Sequence, residues 1–293
     1  MKQATNDSRA EAPLPRIDRW LMGGFENHFL PRYLKKHFHT VALNRESLRG
    51  LELAASDAMV VYANHASWWD PMTAIFLRNR VFTEHRFYAP IDAEALARYR
   101  IFRRMGFFGV AQGSRRGALD FLRSSLRIIQ QPGASIWLTP EGRFCDSRDT
   151  RQALMPGLAH LAASIPQTPM IGKSSKRVWF VPVAVEYVFW EERLPECLAW
   201  IGQPVLIEWA KTSVGNAQEP VLSKSNWSER LNGELRAAQQ SLAAASIARE
   251  SNCFESLLIG RAGTWRWYDL ARRLIARMGG KTLPMEHGRK FTH

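Results

Sequence analysis

Cysteine is scarce in this chain: Cys145, Cys197 and Cys253 are the only three among 293 residues. They are scattered with no C-x-x-C spacing, so neither a disulfide framework nor a thiolate zinc site is expected, and a reducing compartment fits best. Long apolar runs are missing too. The longest, residues 178–190, has about thirteen residues and is interrupted by Glu186, against the ~20 that a spanning helix needs. Residues 1–15 carry acidic and polar side chains around no apolar core, which speaks against a signal peptide. Acidic residues are the minority sign: 27 Asp+Glu face 40 Lys+Arg, for a formal charge of +13. The expected partner is therefore an anionic ligand or surface, with nucleic acid, acidic lipid and phosphorylated substrates all open. There is no internal repeat and no G-x-S-x-G nucleophile elbow.

What is present is enough for a core, since 46% of the residues are hydrophobic. Residues 1–15 read as a flexible tail. Residues 16–40 read as an N-terminal amphipathic helix pair divided by Pro31, with Ile17, Trp20, Leu21 and Phe25 on one apolar face and Tyr33, Leu34 and Phe38 on another. Arg32, Lys35 and Lys36 lie beside them, a pattern that suits either a membrane interface or packing on the domain. His37 and His39 flank Phe38 without a partner cluster, so no metal site is expected there.

Residues 41–215 alternate strand-like apolar runs (59–62, 85–89, 134–138, 178–187, 204–209) with helical stretches (71–77, 92–105, 118–131, 153–164). Pro182, inside the fourth run, suggests an edge position or a bulge. The alternation predicts an α/β fold: a central mixed, largely parallel sheet flanked by helices, with ligands at the carboxyl ends of its strands. Residues 216–293 read as a basic helical C-terminal extension, Ala-rich up to Arg249 and then basic around Trp265, Trp267 and Tyr268. Between residues 95 and 116 stand Arg98, Arg100, Arg103, Arg104, Arg115 and Arg116 with no acid, interleaved with Tyr99, Ile101, Phe102, Phe107 and Phe108. That mixture suits phosphate headgroups above an apolar layer, and equally a nucleic-acid backbone.

Two strand ends carry charge. The first is V-V-Y-A-N-H-A-S-W-W-D-P, residues 60–71, where an apolar run empties into His65 and then reaches Asp70. Histidine is the side chain best suited to take a proton near neutral pH, and a carboxylate beside it fixes its tautomer. On a continuous helix this spacing rotates by about 500°, leaving the two side chains roughly 140° apart, so His65 must precede the helix if they meet. Ser67 and Asp70 resemble a capping pair, and Pro71 is tolerated in a first turn. The spacing is also that of a turn histidine followed by a mere cap, and alone it does not choose. The second strand end is Thr139-Pro140-Glu141-Gly142-Arg143, in which glycine permits a turn while Glu141 and Arg143 offer an acceptor and an anion-binding fork.

Taken together and in order, these blocks resemble the glycerolipid acyltransferase family, the PlsC-like lysophospholipid acyltransferases. Asn64-His65 with Asp70 is similar to its N-H-x4-D motif, Pro140 to Arg143 to its P-E-G block, and Val181-Pro182-Val183 to its late V-P-V strand. Residues 106–116 stand where the family has a strand ending in arginine. The commonest third block is E-G-T-R-S, whereas this chain has Glu141-Gly142-Arg143-Phe144-Cys145, with the arginine one position early.

The resemblance implies acyl transfer from acyl-CoA or acyl carrier protein to a lipid hydroxyl, lysophosphatidate by default, in phospholipid biosynthesis. It assigns His65 as general base and Asp70 as its orienting partner. Asn64, Glu141 and Gly142 would line the acceptor site, and Arg143 with Arg115 or Arg116 would bind a phosphate. No metal and no organic cofactor is implied, and the acyl thioester is a substrate. An anionic membrane surface is the expected further partner, placing the protein in the cytoplasm at the inner face of the membrane. The alternatives are another acceptor such as a glycosylated isoprenoid, favoured by nearby Trp68 and Trp69, a thioesterase or lipid hydrolase, and a non-catalytic nucleic-acid binder. The last lacks any nucleic-acid motif and leaves both corners unexplained, so nucleic acid is not expected as a partner.

Overall fold

The computed structural model describes residues 13–46, 52–168, 177–209 and 223–261. The tail up to residue 12, most of the loop at 166–176, and the basic segment around Trp265, Trp267 and Tyr268 lie outside the described residues. The chain opens with helix α1 (Arg19–Gly24), a π-helical turn (Phe25–Phe29) and α2 (Leu30–His37). Strand β1 (Thr40–Asn44) and β2 (Ala58–Ala63) follow, then α3 (Asp70–Val81), β3 (Arg86–Asp92), α4 (Ala93–Arg98), α5 (Ile101–Arg104) and β4 (Phe107–Val110). Next come α6 (Arg115–Ile129), β5 (Ala134–Leu138), α7 (Gly157–Ser164), β6 (Arg177–Val188), β7 (Glu196–Ile201), β8 (Val205–Glu208), α8 (Lys224–Ala248) and β9 (Phe254–Ile259).

The nine strands form one sheet in the order β4-β3-β5-β2-β6-β7-β1-β9, with β8 also paired to β6. Strands β2 to β6 are mutually parallel, whereas β7 and β8 run antiparallel to β6. The predicted α/β class, mixed and largely parallel, is the fold observed. It follows from burial on both faces, which lets the central strands be almost wholly apolar. Along β2, Met59 and Val61 pack on one side with Ile75 and Phe76 of α3 and Leu34 of α2. Ala58, Val60 and Tyr62 pack on the other with Ile128, Leu161 and Leu235 of α6, α7 and α8. The period of two thus splits one strand between two cores. Because β2 to β6 are parallel, all five carboxyl ends share one edge of the sheet, and the two charged corners arise there.

Several local expectations change. Helical backbone runs through Pro31, and the irregularity is the π turn immediately before it, where the wider spiral accommodates a residue with no N–H to donate. Trp20, expected on an apolar face, is 92% exposed, while Leu21 and Phe25 pack against the core. Pro182 is not at an edge: β6 has β2 on one side and β8 then β7 on the other. Its carbonyl accepts from Gly202 N–H at 2.9 Å. The missing donor therefore faces the break between the β8 and β7 ladders, where a ladder bond is already lacking. Strands β1, β7 and β9 were not anticipated. After α8 the chain returns to the sheet as β9 and pairs antiparallel with β1. α8 itself docks through Trp227, Leu231, Leu235, Ala238, Leu242 and Ala245, and each fully buried leucine contributes about 1.5–3 kcal/mol.

Candidate active site

At the end of β2, Asn64 is 1% exposed and its amide is bonded both ways to Val185 of β6: Nδ2 donates to the carbonyl at 3.0 Å, and Oδ1 accepts from the N–H at 2.7 Å. This ties the strand end to its neighbour just before the chain leaves the sheet. His65 is the first residue beyond, and the turn continues until Asp70 opens α3. Trp69, the residue before that helix, is wedged among Tyr33, His37 and Phe38 at ring distances of 5.6, 5.2 and 4.9 Å. The N-terminal helices thereby fix where α3 begins.

The predicted meeting of His65 and Asp70 is present: His65 Nδ1 lies 2.6 Å from Asp70 Oδ2. Ser67 N–H donates to the same oxygen at 3.1 Å, and Tyr187 O–H, from the end of β6, donates to Oδ1 at 2.9 Å. A carboxylate at Nδ1 places the ring proton there and leaves the Nε2 lone pair available. The imidazole is 21% exposed and the Asp70 side chain 5%, so the ring reaches solvent while its partner does not. Burial, and then the Asp70 carboxylate beside it, pushes the Tyr187 phenol well above its usual range, which keeps it a donor. Behind it, Thr73 Oγ1 is 2.9 Å from the Tyr187 hydroxyl and 3.8 Å from Cys197 Sγ, whose thiol burial pushes up to about 12. That cysteine is an inert packing group.

The second corner closes on the first. After β5, Gly142 N–H bonds Thr139 O at 3.0 Å, and Gly142 adopts φ +67°. An added Cβ would meet only the flexible, exposed Met155 side chain, so it is the conformation that calls for glycine. Glu141, 7% exposed, accepts from His65 N–H on Oε2 at 2.7 Å and from Arg236 on Oε1 at 2.7 Å. Cys145 N–H donates to His65 O at 2.8 Å. Both backbone groups of His65 are thus held by one loop. The Phe144 ring, 61% exposed, lies 4.4 Å from the imidazole.

The structure therefore gathers His65, Asp70, Glu141 and Gly142. Asn64 and Glu141, expected to line the acceptor site, turn their polar atoms into the protein instead. Arg143 is exposed and donates to the Gln152 side chain. Arg115 and Arg116 are exposed at the start of α6, whose N-cap Ser114 accepts from Gly117 N–H at 2.9 Å. Strand β4 is three positions from β2 in the sheet, roughly 14 Å at the usual strand spacing, so these two arginines share the edge with His65 at a distance. Among the described residues, none of the three hydrogen-bonds to His65, Asp70 or Glu141. Sequence reasoning overlooked Tyr187 and Arg236. A signal existed for the second: Arg236 and Gln239 interrupt the apolar stripe of α8.

The geometry is that of an α/β protein with a carboxylate-oriented histidine at a parallel strand end. The family model described as Acyltransferase matches residues 40–186, half of the chain, from β1 to near the end of β6. The chain belongs to this family, the PlsC-type acyltransferases. No curated protein matches it in sequence. Membership makes it an acyltransferase and implies an acyl donor and a lipid acceptor in general.

Proposed function

We propose that this acyltransferase moves a fatty acyl group from a thioester, acyl-CoA or acyl carrier protein, to the hydroxyl of a lysophospholipid-like lipid, with lysophosphatidate the default acceptor. The observation that carries the reading is the 2.6 Å contact of His65 Nδ1 with Asp70. Nε2 takes the acceptor's hydroxyl proton as its oxygen attacks the thioester carbonyl, and Asp70 stabilises the imidazolium formed. The tetrahedral adduct then expels the thiolate, which takes the proton from His65. General base catalysis of this kind is worth about 10²–10⁴-fold. No resident metal or cofactor enters the step. Arg143, with Arg115 or Arg116, is assigned to the acceptor's phosphate.

Approach to the lipid is peripheral, on the cytoplasmic face of an anionic membrane. The formal charge of +13 and the exposure of Trp68 and Phe144 beside His65 support this. Among the described residues, no helix is long and apolar enough to cross a membrane. The Phe144 ring over His65, with the neighbouring arginine turned to Gln152, also favours a second acceptor class, a bulky or ring-containing lipid.

Purified enzyme incubated with labelled acyl-CoA and a lipid extract, with the product identified by mass spectrometry, tests both. An esterified lipid is expected, and its loss by at least about 10²-fold in His65→Ala. Free fatty acid without an esterified acceptor would make the protein a hydrolase, and wild-type turnover by His65→Ala would remove the assigned base.

A further inference from the structure

Beyond the matched residues, one side chain is tied to this corner more closely than any exposed arginine. Arg236 sits midway along α8 and is 6% exposed. Its Nη1 donates to Glu141 Oε1 at 2.7 Å and to the Gln239 side-chain oxygen; Nη2 donates to the Gln152 carbonyl; Nε donates to Asn232 Oδ1 at 3.3 Å. Gln239, 1% exposed, donates in turn to the Ser147 carbonyl at 2.8 Å. One helix therefore grips the loop after β5 at Glu141, Ser147 and Gln152, and Glu141 grips His65.

We infer that Arg236 is a positioning residue for acyl transfer, acting through Glu141 on the backbone of His65. A buried guanidinium is tolerated only when its donors are satisfied, and the same holds for the carboxylate it meets. With Arg236 on Oε1, the Glu141 carboxylate has one orientation, and Oε2 is presented to His65 N–H in a charge-assisted bond. Without Arg236 that carboxylate is a buried anion with a single neutral donor. It turns toward water, and the His65 N–H loses its anchor. The imidazole then drifts from the attacking hydroxyl, and a misplacement of about 1 Å costs about 10²-fold in rate. Substrate binding is not lost, because Arg236 is buried and faces the protein.

The inference rests on the assigned role of His65, and the test separates the two. In the full chain, Arg236→Met and Arg236→Lys are compared with Leu242→Ala, which loosens α8 without touching the loop. The readouts are kcat and KM with acyl-CoA and lysophosphatidate, together with the His65 amide resonance in ¹⁵N-labelled protein. The expected result for Arg236→Met is a kcat lower by about 10²-fold with both KM values little changed, and an upfield shift of the His65 amide proton. Arg236→Lys, which keeps the charge, should recover about tenfold of that loss, whereas Leu242→Ala lowers thermal stability and leaves kcat near wild type. Wild-type kcat in a folded Arg236→Met, an unmoved amide, or an equal kcat loss in Leu242→Ala would overturn the inference. If Arg236→Met does not fold, Arg236→Lys decides on the same readouts. If the wild type transfers no acyl group, the functional reading fails, and the amide resonance still decides whether Arg236 holds His65.

Discussion

Asp70 and Glu141 are 6% and 7% exposed, one closing the turn that leaves β2 and the other inside the turn that leaves β5, and both accept a hydrogen bond from His65. They hold different parts of it. Asp70 takes the imidazole, and its other donors, Ser67 N–H and the Tyr187 hydroxyl, are neutral. Glu141 takes the backbone N–H, and its second oxygen is matched by the Arg236 guanidinium. The difference has a physical sense. In the proposed mechanism Asp70 stabilises an imidazolium and so needs its charge uncancelled, which suits its neutral donors. A carboxylate that fixes a backbone needs a single orientation, and a cation on its far oxygen supplies both the orientation and the neutralisation that burial demands.

The largest expected effect comes from turning Asp70 into a group of the same shape. Asp70→Asn keeps the packing but offers an amide N–H to Nδ1, which moves the ring proton to Nε2 and removes the lone pair from the reacting nitrogen. A kcat lower by about 10³–10⁴-fold, with KM little changed, is expected in steady-state assays of the purified enzyme. A variant within tenfold of wild type would place the base elsewhere. Glu141→Ala should lose stability as well as rate, with a kcat loss at least as large as that of Arg236→Met. It strips the buried Arg236 of its countercharge, and breaking such a pair from one side costs about 3–5 kcal/mol. Guanidinium denaturation should register that loss, and equal stabilities for wild type and Glu141→Ala would erase the distinction between the two carboxylates.

A smaller step separates the charge of Asp70 from its setting. Tyr187→Phe removes the donor on Oδ1 together with the hydroxyl's contact to Thr73. Hydrogen bonds to charged groups contribute about 1.5–3 kcal/mol, so a kcat lower by about 10–10²-fold is expected, with the fold retained because the ring still packs. The two substitutions measured in a double-mutant cycle should be strongly non-additive, since Tyr187 acts only through Asp70. Additive effects would mean that Tyr187 has a role of its own.

How much of this was legible in the sequence depended on range. Strands β2 and β5, the His65–Asp70 corner and the glycine turn are local patterns of apolar runs ending in charge, and they were read correctly within a few residues. Strands β1 and β9 pair across most of the chain, Thr40 opposite Ile259, and a short segment such as Thr40–Asn44 carries no sign of so distant a partner. Pro182 suggests an edge position or a bulge by a sound rule, but the rule concerns one missing donor, and here that donor falls at a break between two partners. Glu141 is the instructive case at the site. A glutamate beside a glycine at a strand end looks like a ligand, and only the pairing with Arg236, 95 residues away, shows that it faces inward. Trp20 lies on the apolar face by helical spacing and is 92% exposed, while its neighbour Leu21 packs on the core.

Arg143 gives the smallest expected effect and sharpens the contrast from outside. It is an arginine one residue beyond Gly142, exposed and bonded to the neutral Gln152 side chain, where Arg236 is buried and bonded to a carboxylate. An exposed guanidinium contributes little to folding, so Arg143→Ala should leave the unfolding midpoint unchanged. Its proposed work is on the acceptor's phosphate, where a solvent-exposed charge contact is worth about 0.2–1 kcal/mol. A rise of about two- to fivefold in KM for lysophosphatidate, with kcat preserved and with no change for an uncharged monoacylglycerol acceptor, is the expected pattern. An equal change for both acceptors would show that Arg143 shapes the loop rather than meeting the anion. No change for either would pass the phosphate to Arg115 or Arg116, at the far end of the same sheet edge, and would favour an acceptor long enough to reach from His65 to the start of α6.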